Sequence, residues 1–177
     1  PFQPGCAYEA GKPRAAGVLS GCGNGDSLER FDSVLHDPAV AVIFDEEKLT
    51  YAELGSLADA FARYLRHHAG LQPGDRLALQ LPNSLQYPIA VFGALKAGLV
   101  IVNTNPQYTA AEARHQFRDS GARAILVLDR LLPLVRAVQA DTELEHVILT
   151  GVEDLQAPVY DSQEPGTERF MQALRLG

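Results

Sequence analysis

Apolar residues in this chain come in two spacings, and the two alternate. Between positions 51 and 68, Leu54, Leu57, Ala58, Phe61, Ala62 and Leu65 recur at intervals of three and four. That spacing lines one face of a helix. At 76–81 (RLALQL), 99–102 (LVIV), 124–128 (AILVL) and 146–149 (HVIL) the apolar residues instead form short, nearly unbroken runs. Runs of that length, bounded by turn residues, predict strands covered on both faces, as in a parallel sheet. Between them lie three stretches of helical length: 89–97 (IAVFGALKA), apolar on nearly every face except Lys96, then 110–120 and the amphipathic 131–139. Strand and helix alternating in this way predict an α/β fold: a doubly wound, largely parallel sheet flanked by helices, with right-handed crossovers.

The residues between the periodic stretches agree with that reading. Thr50 with Glu53, and Thr109 with Glu112, have the spacing of capping boxes that open helices. Asn83 or Ser84 is the expected cap before 89–97, and Pro88 falls near that helix start, where its missing N–H matters least. Gly98 and Gly121 stand where left-handed helix ends favour glycine. Residues 39–44 (AVAVIF), the turn Asp45-Glu46-Glu47 and 48–50 predict a small N-terminal hairpin. Ahead of it, 1–25 is rich in Gly, Pro and Ala and is read as an irregular arm, with a short helix expected over 27–36. Residues 26–150 then form the α/β unit. A polar, Pro-containing linker with a short helix over 167–174 makes up 151–177.

Composition narrows the function. The net charge of −7 argues against a nucleic-acid binder, which ordinarily carries a basic patch. No apolar run reaches the length of a membrane span, and no signal peptide is evident. Cys6 and Cys22, both in the arm, are expected as reduced thiols of a cytoplasmic protein, with a disulfide left open. The chain begins at Pro1, so a trimmed or engineered piece is expected.

Most chemical signatures are missing. There is no GxGxxG, GxxxxGK[ST], HExxH, CxxC or GxSxG, so neither a glycine-rich phosphate loop nor a nucleophile elbow is present. His36, His67, His68, His115 and His146 are scattered. The adjacent pair His67 and His68 points about 100° apart on a helix and suits no shared metal. One loop stands out: 103–109 (NTNPQYT) follows the second parallel strand at its carboxyl end, where open α/β sheets bind ligands. It reads either as a ligand-facing edge or as an ordinary Asn-Pro turn into a capped helix. Arg130 and Arg136 follow the third parallel strand. They would meet a phosphate there or lie solvated at the surface.

A resemblance carries the reading further. The segments LTYAEL (49–54), PGDRLALQLPNSLQYPIAVFGALKAG (73–98) and VNTNPQYTAAEARHQFRDSGARAILV (102–127) resemble the amino-terminal part of adenylate-forming enzymes. The likeness is strongest to bacterial long-chain fatty acid–CoA ligases and covers about residues 27–150. Within the superfamily, NxxQYPxAxFGxLKAG followed by VNxNPxYT favours the fatty-acyl branch.

The resemblance implies a two-step reaction, in which a carboxylate attacks ATP to give acyl-adenylate and pyrophosphate, and the CoA thiol then displaces AMP. It implies ATP, CoA and Mg2+ as cofactors of an intact enzyme and a long-chain fatty acid as its substrate. It implies a cytoplasmic protein, with peripheral contact at the inner face of the membrane and homodimerisation left open. The family's Gly/Ser/Thr-rich phosphate loop, acidic residues and lid lysine are not among these 177 residues. An N-terminal subdomain that is inactive alone, binds none of these cofactors tightly and contributes no catalytic or metal-binding residue is therefore expected. By the same resemblance Asn105, Tyr108, Arg136 and, less directly, Arg130 lie near the CoA nucleotide. Two alternatives remain: the same superfamily acting on an aryl or amino acid, and a free-standing, non-catalytic α/β binding module.

Overall fold

The computed structural model describes residues 37–177, so the arm over 1–25, its cysteines and the helix expected over 27–36 lie outside the described residues. The first described elements are the strands β1 (Val40–Phe44) and β2 (Glu47–Thr50), paired antiparallel with Phe44 opposite Glu47. The two-residue turn between them takes Asp45 to φ 52°, a left-handed conformation that Asp tolerates better than most residues. Helix α1 (Tyr51–His67) follows directly.

Both predicted capping boxes form. Thr50 caps α1, and Thr109 caps the helix we number α3 (Ala110–Ser120). In α1 the Thr50 hydroxyl accepts from the Glu53 amide at 3.1 Å, while the Glu53 carboxylate accepts from the Thr50 amide at 2.8 Å. The Thr109 amide likewise donates to Glu112 at 2.8 Å. Hydrogen bonds from these backbone amides, followed by those from the threonine hydroxyls, hold both glutamate carboxyls below their ordinary value. A depressed carboxyl stabilises the fold above its unfolded pKa, and the contribution disappears as the pH falls through the folded value. Thr109→Ala is expected to lower stability by about 1 kcal/mol and to flatten the acid limb of the stability profile, as urea titrations across pH would read.

The remaining strands build one parallel sheet. β3 (Arg76–Gln80), β4 (Val100–Asn103), β5 (Ala124–Leu128), β6 (His146–Thr150) and β7 (Glu168–Arg169) lie in the order β4-β3-β5-β6-β7, all parallel. Side chains of successive strand residues point to opposite faces, so each apolar run feeds two cores. Leu77, Leu79, Leu126 and Ile148 pack beneath α1, α2 (Gln86–Lys96) and α5 (Phe170–Leu176). Ala78, Ile125, Val127, Val147 and Leu149 pack beneath α3 and α4 (Leu132–Gln139). The fold class is therefore the expected one: α/β and doubly wound, with helices on both faces.

Three details depart from the sequence reading. Neither Asn83 nor Ser84 caps α2, which begins at Gln86 with Leu85 at its cap and no side-chain bond. The Tyr87 amide closes onto the Ser84 carbonyl instead, and Pro88 sits in the first turn, where amides have no intrahelical partner. A 3-10 turn (Asp129–Leu131) precedes α4, so the helix expected over 131–139 starts one residue later, at Leu132. The segment 167–174, expected as helix from its first residue, instead opens with β7, and α5 begins only at Phe170. A two-residue strand is too short to show a periodic pattern. Its place is fixed by pairing, Arg169 opposite Leu149.

Candidate functional site

The strand order sets the site. β3 leads into α2 on one face of the sheet, whereas its neighbour β5 leads into α4 on the other. Chain leaving the carboxyl ends of these two strands diverges, and that divergence opens the crevice in which doubly wound sheets bind ligands. Gln80 ends β3, the 3-10 turn Asp129–Leu131 follows β5, and the loop after β4 borders the crevice on one side.

Gln80 is fully buried, and its Nε2 donates to the Asn105 carbonyl at 3.2 Å, tying the β4 loop to the end of β3. The Gln80 Oε1 has no hydrogen-bond partner among the described residues. Asn105 serves the turn itself: its Oδ1 accepts from the Gln107 amide at 2.9 Å and its carbonyl from the Tyr108 amide at 3.1 Å. Tyr108 is half-buried and packs against the α3–α4 core. The loop is an Asn-Pro turn into a capped helix, and it lies at the carboxyl edge of the sheet.

Across the crevice, Arg130 lies exposed on the 3-10 turn and has no hydrogen-bond or ion-pair partner among the described residues. Arg136 stands one and a half turns further on, on the outer side of α4. Its Nη1 donates to Gln139 Oε1 at 2.9 Å and its Nη2 to the Pro165 carbonyl. The structure therefore brings Asn105 and Tyr108 together on one loop. Arg130 stands two strands away, about 10 Å at ordinary strand spacing, and Arg136 is engaged with the segment that leads into β7.

The most elaborate polar structure at this edge was not anticipated from sequence. Arg169, at the end of β7, is buried and donates to two carboxylates, Asp129 Oδ1 at 2.5 Å and Asp154 Oδ2 at 2.7 Å. Thr150 Oγ1 donates to the same Asp154 oxygen at 3.3 Å. Gln86 Nε2 donates to the carbonyls of Gly151 and Val152, both at 2.9 Å, joining the start of α2 to the end of β6. Gly151 lies at the centre of this network: a Cβ there would stand 2.7 Å from Asp154 Oδ1. The available signal was positional, since Gln80, Thr150 and Asp129 are the polar residues that close or follow apolar strand runs. Arg169 had no such signal, because its strand is two residues long.

A separate cavity of about 230 Å3 opens at the opposite, amino edge, between Tyr64, His146 and the Gly166–Glu168 segment, away from the crevice. Among the described residues no three His, Cys, Asp or Glu side chains gather as metal ligands, and no helix is long and apolar enough to cross a membrane.

A doubly wound sheet whose strands β3 and β5 send their chains to opposite faces is the framework on which α/β proteins place their ligand sites. The chain belongs to the AMP-binding enzyme family, whose pattern matches residues 33–173. It is 48% identical over 108 residues to a long-chain-fatty-acid–CoA ligase of Yersinia pestis, covering 61% of this chain and 19% of that protein. It is 37% identical over 167 residues to a salicyl-AMP ligase / salicyl-S-ArCP synthetase of Mycobacterium tuberculosis, covering 85% of this chain and 28% of that protein. Among solved structures, a long-chain-fatty-acid-CoA ligase from Archaeoglobus fulgidus superposes with a TM-score of 0.70 at 19% identity, covering 84% of this chain and 29% of that one. The matched part of the chain thus spans about a fifth of the length of the Yersinia ligase.

Proposed function

We propose that this chain is the amino-terminal portion of an ATP-dependent long-chain fatty acid–CoA ligase. The observation that carries the reading is the 48% identity to the Yersinia ligase. It is joined by the fatty-acyl pattern of residues 83–109, which folds here into the turn after β3, α2, β4 and the loop that follows β4. The complete protein activates a carboxylate as its adenylate and transfers the acyl group to CoA in the cytoplasm. The 177 residues alone, matched to only 19% of the Yersinia ligase, complete neither step.

Anionic cofactors fit the carboxyl edge. Arg130 presents a guanidinium without a protein partner among the described residues, and guanidinium groups match phosphate oxygens in charge and geometry. ATP supplies the leaving pyrophosphate and CoA the thiol when bound. This chain's part is to shape one wall of the nucleotide site, and the ligands for Mg2+ belong to the remainder of the protein. Arg130 and Arg136 contact CoA phosphates, with Asn105 and Tyr108 shaping the adjoining loop. Arg136→Ala in the complete protein is expected to raise the KM for CoA by about tenfold, the scale of one lost charge-assisted contact, and to leave ATP–pyrophosphate exchange intact. An unchanged KM would remove Arg136 from the site.

The salicyl-AMP ligase likeness, which covers more of the chain, favours an aryl acid as the second reading. Steady-state acyl-CoA formation with a chain-length series of fatty acids beside salicylate separates the two. The proposal requires kcat/KM to be highest for the long chains.

A further inference from the structure

Resting on the reading of Arg130 above, we propose that the buried Arg169–Asp154 pair acts through Asp129 to position Arg130 for the nucleotide phosphates of CoA. Asp129 and Arg130 are consecutive residues of the same 3-10 turn, so whatever fixes Asp129 holds the backbone from which the Arg130 side chain departs. Leu131 packs against both cores, but Asp129 and Arg130 are exposed, and neither is held by packing of its own. The constraint comes from across the sheet.

Arg169 carries it. Its side chain is 8% exposed and Asp154 is 7% exposed, whereas Asp129 is 47% exposed. The guanidinium fork spends one nitrogen on the buried carboxylate and offers the other to the turn. Asp154 is itself fixed by Thr150 Oγ1 and by the backbone of Gly151, which leaves no space for a side chain. Gln86 pins the Gly151 carbonyl to α2. The chain of contacts therefore runs from the rigid ends of β6 and β7 to an exposed turn and stops beside a cation with no partner among the described residues. A planar fork suits this work and an ammonium does not, because the two carboxylates are held by different nitrogens at fixed separation. Stability alone needs only the buried Arg169–Asp154 contact. The second arm, to a half-exposed carboxylate, contributes little to folding and instead orients the turn.

The test is a double-mutant cycle in the complete protein with CoA as the probe, reading Kd by calorimetry as well as steady-state KM. Asp129→Ala is expected to raise both by about tenfold, within the range of coupling between contacting residues, with KM rising more than kcat falls. Asp129→Asn keeps an acceptor oxygen for Arg169 and is expected to recover part of the loss. Because Asp129 acts through Arg130, the Asp129→Ala/Arg130→Ala double variant should bind CoA no worse than Arg130→Ala alone. Hydrogen exchange of the Leu132 amide, which closes the turn onto the Asp129 carbonyl, should quicken in Asp129→Ala without any nucleotide present. If Arg130→Ala weakens CoA binding but Asp129→Ala does not, or if the two losses multiply, the positioning inference is overturned alone. If Arg130→Ala leaves CoA binding unchanged, the reading beneath it fails as well.

Discussion

Arg169→Met should lower the stability of the chain by about 3–5 kcal/mol, the scale expected when one partner of a buried ion pair is removed. The loss arises less from the missing attraction than from what remains. Asp154, 7% exposed, keeps only the Thr150 hydroxyl as a side-chain partner among the described residues. Asp129→Ala removes the other arm of the same arginine at a half-exposed position and should cost under about 1 kcal/mol. Urea unfolding of the two variants checks the contrast. Equal losses would show that the two arms contribute alike, against the burial argument.

Phe61→Ala is expected to have a comparable effect, again about 3–5 kcal/mol, through a cavity between three helices. Phe61 is fully buried on α1. It lies edge-on to Phe170 of α5, with ring centroids 5.0 Å apart, and parallel to Tyr64 at 6.2 Å. On its α2 side it meets Gly93, where a Cβ would fall 2.9 Å from Phe61 Cδ1 and 3.0 Å from the Ala58 carbonyl. That close approach makes glycine the residue of choice in mid-helix, despite a propensity cost of about 1 kcal/mol relative to alanine. Gly93→Ala should therefore be less harmful in a Phe61→Leu background than in the native one. Denaturant titrations of the four chains measure the coupling, and simple additivity would contradict the packing account.

These sites mark how far the sequence could be read. Continuous apolar runs identified β3, β4, β5 and β6, because a strand covered on both faces needs no polar alternation. The capping boxes of Thr50 and Thr109 were legible because they depend on residues three apart. Contacts between distant positions were not legible. Arg169 lies 40 residues from Asp129 and 15 from Asp154, and the spacing of neither pair suggests a partnership. Gln86 looked like one more residue of the fatty-acyl pattern, yet its side chain reaches 65 residues along the chain to Gly151. Gly93 gave no clue to Phe61. Of the candidate site residues, Asn105 and Tyr108 lie on a loop that its place after a strand's carboxyl end singled out, while their role near a nucleotide rested on the resemblance. For Arg136, only the fold shows that it is shared with the backbone before β7.

Carboxylate-dependent exchange of pyrophosphate into ATP, followed by acyl-CoA release on adding CoA, tests the central claim most directly when measured on the complete protein that carries this chain. The account predicts exchange that depends on a fatty acid, strongest with long chains, and acyl-CoA formed with AMP as the other product. ATP turnover indifferent to any carboxylate, or no exchange with fatty and aryl acids alike, would contradict it.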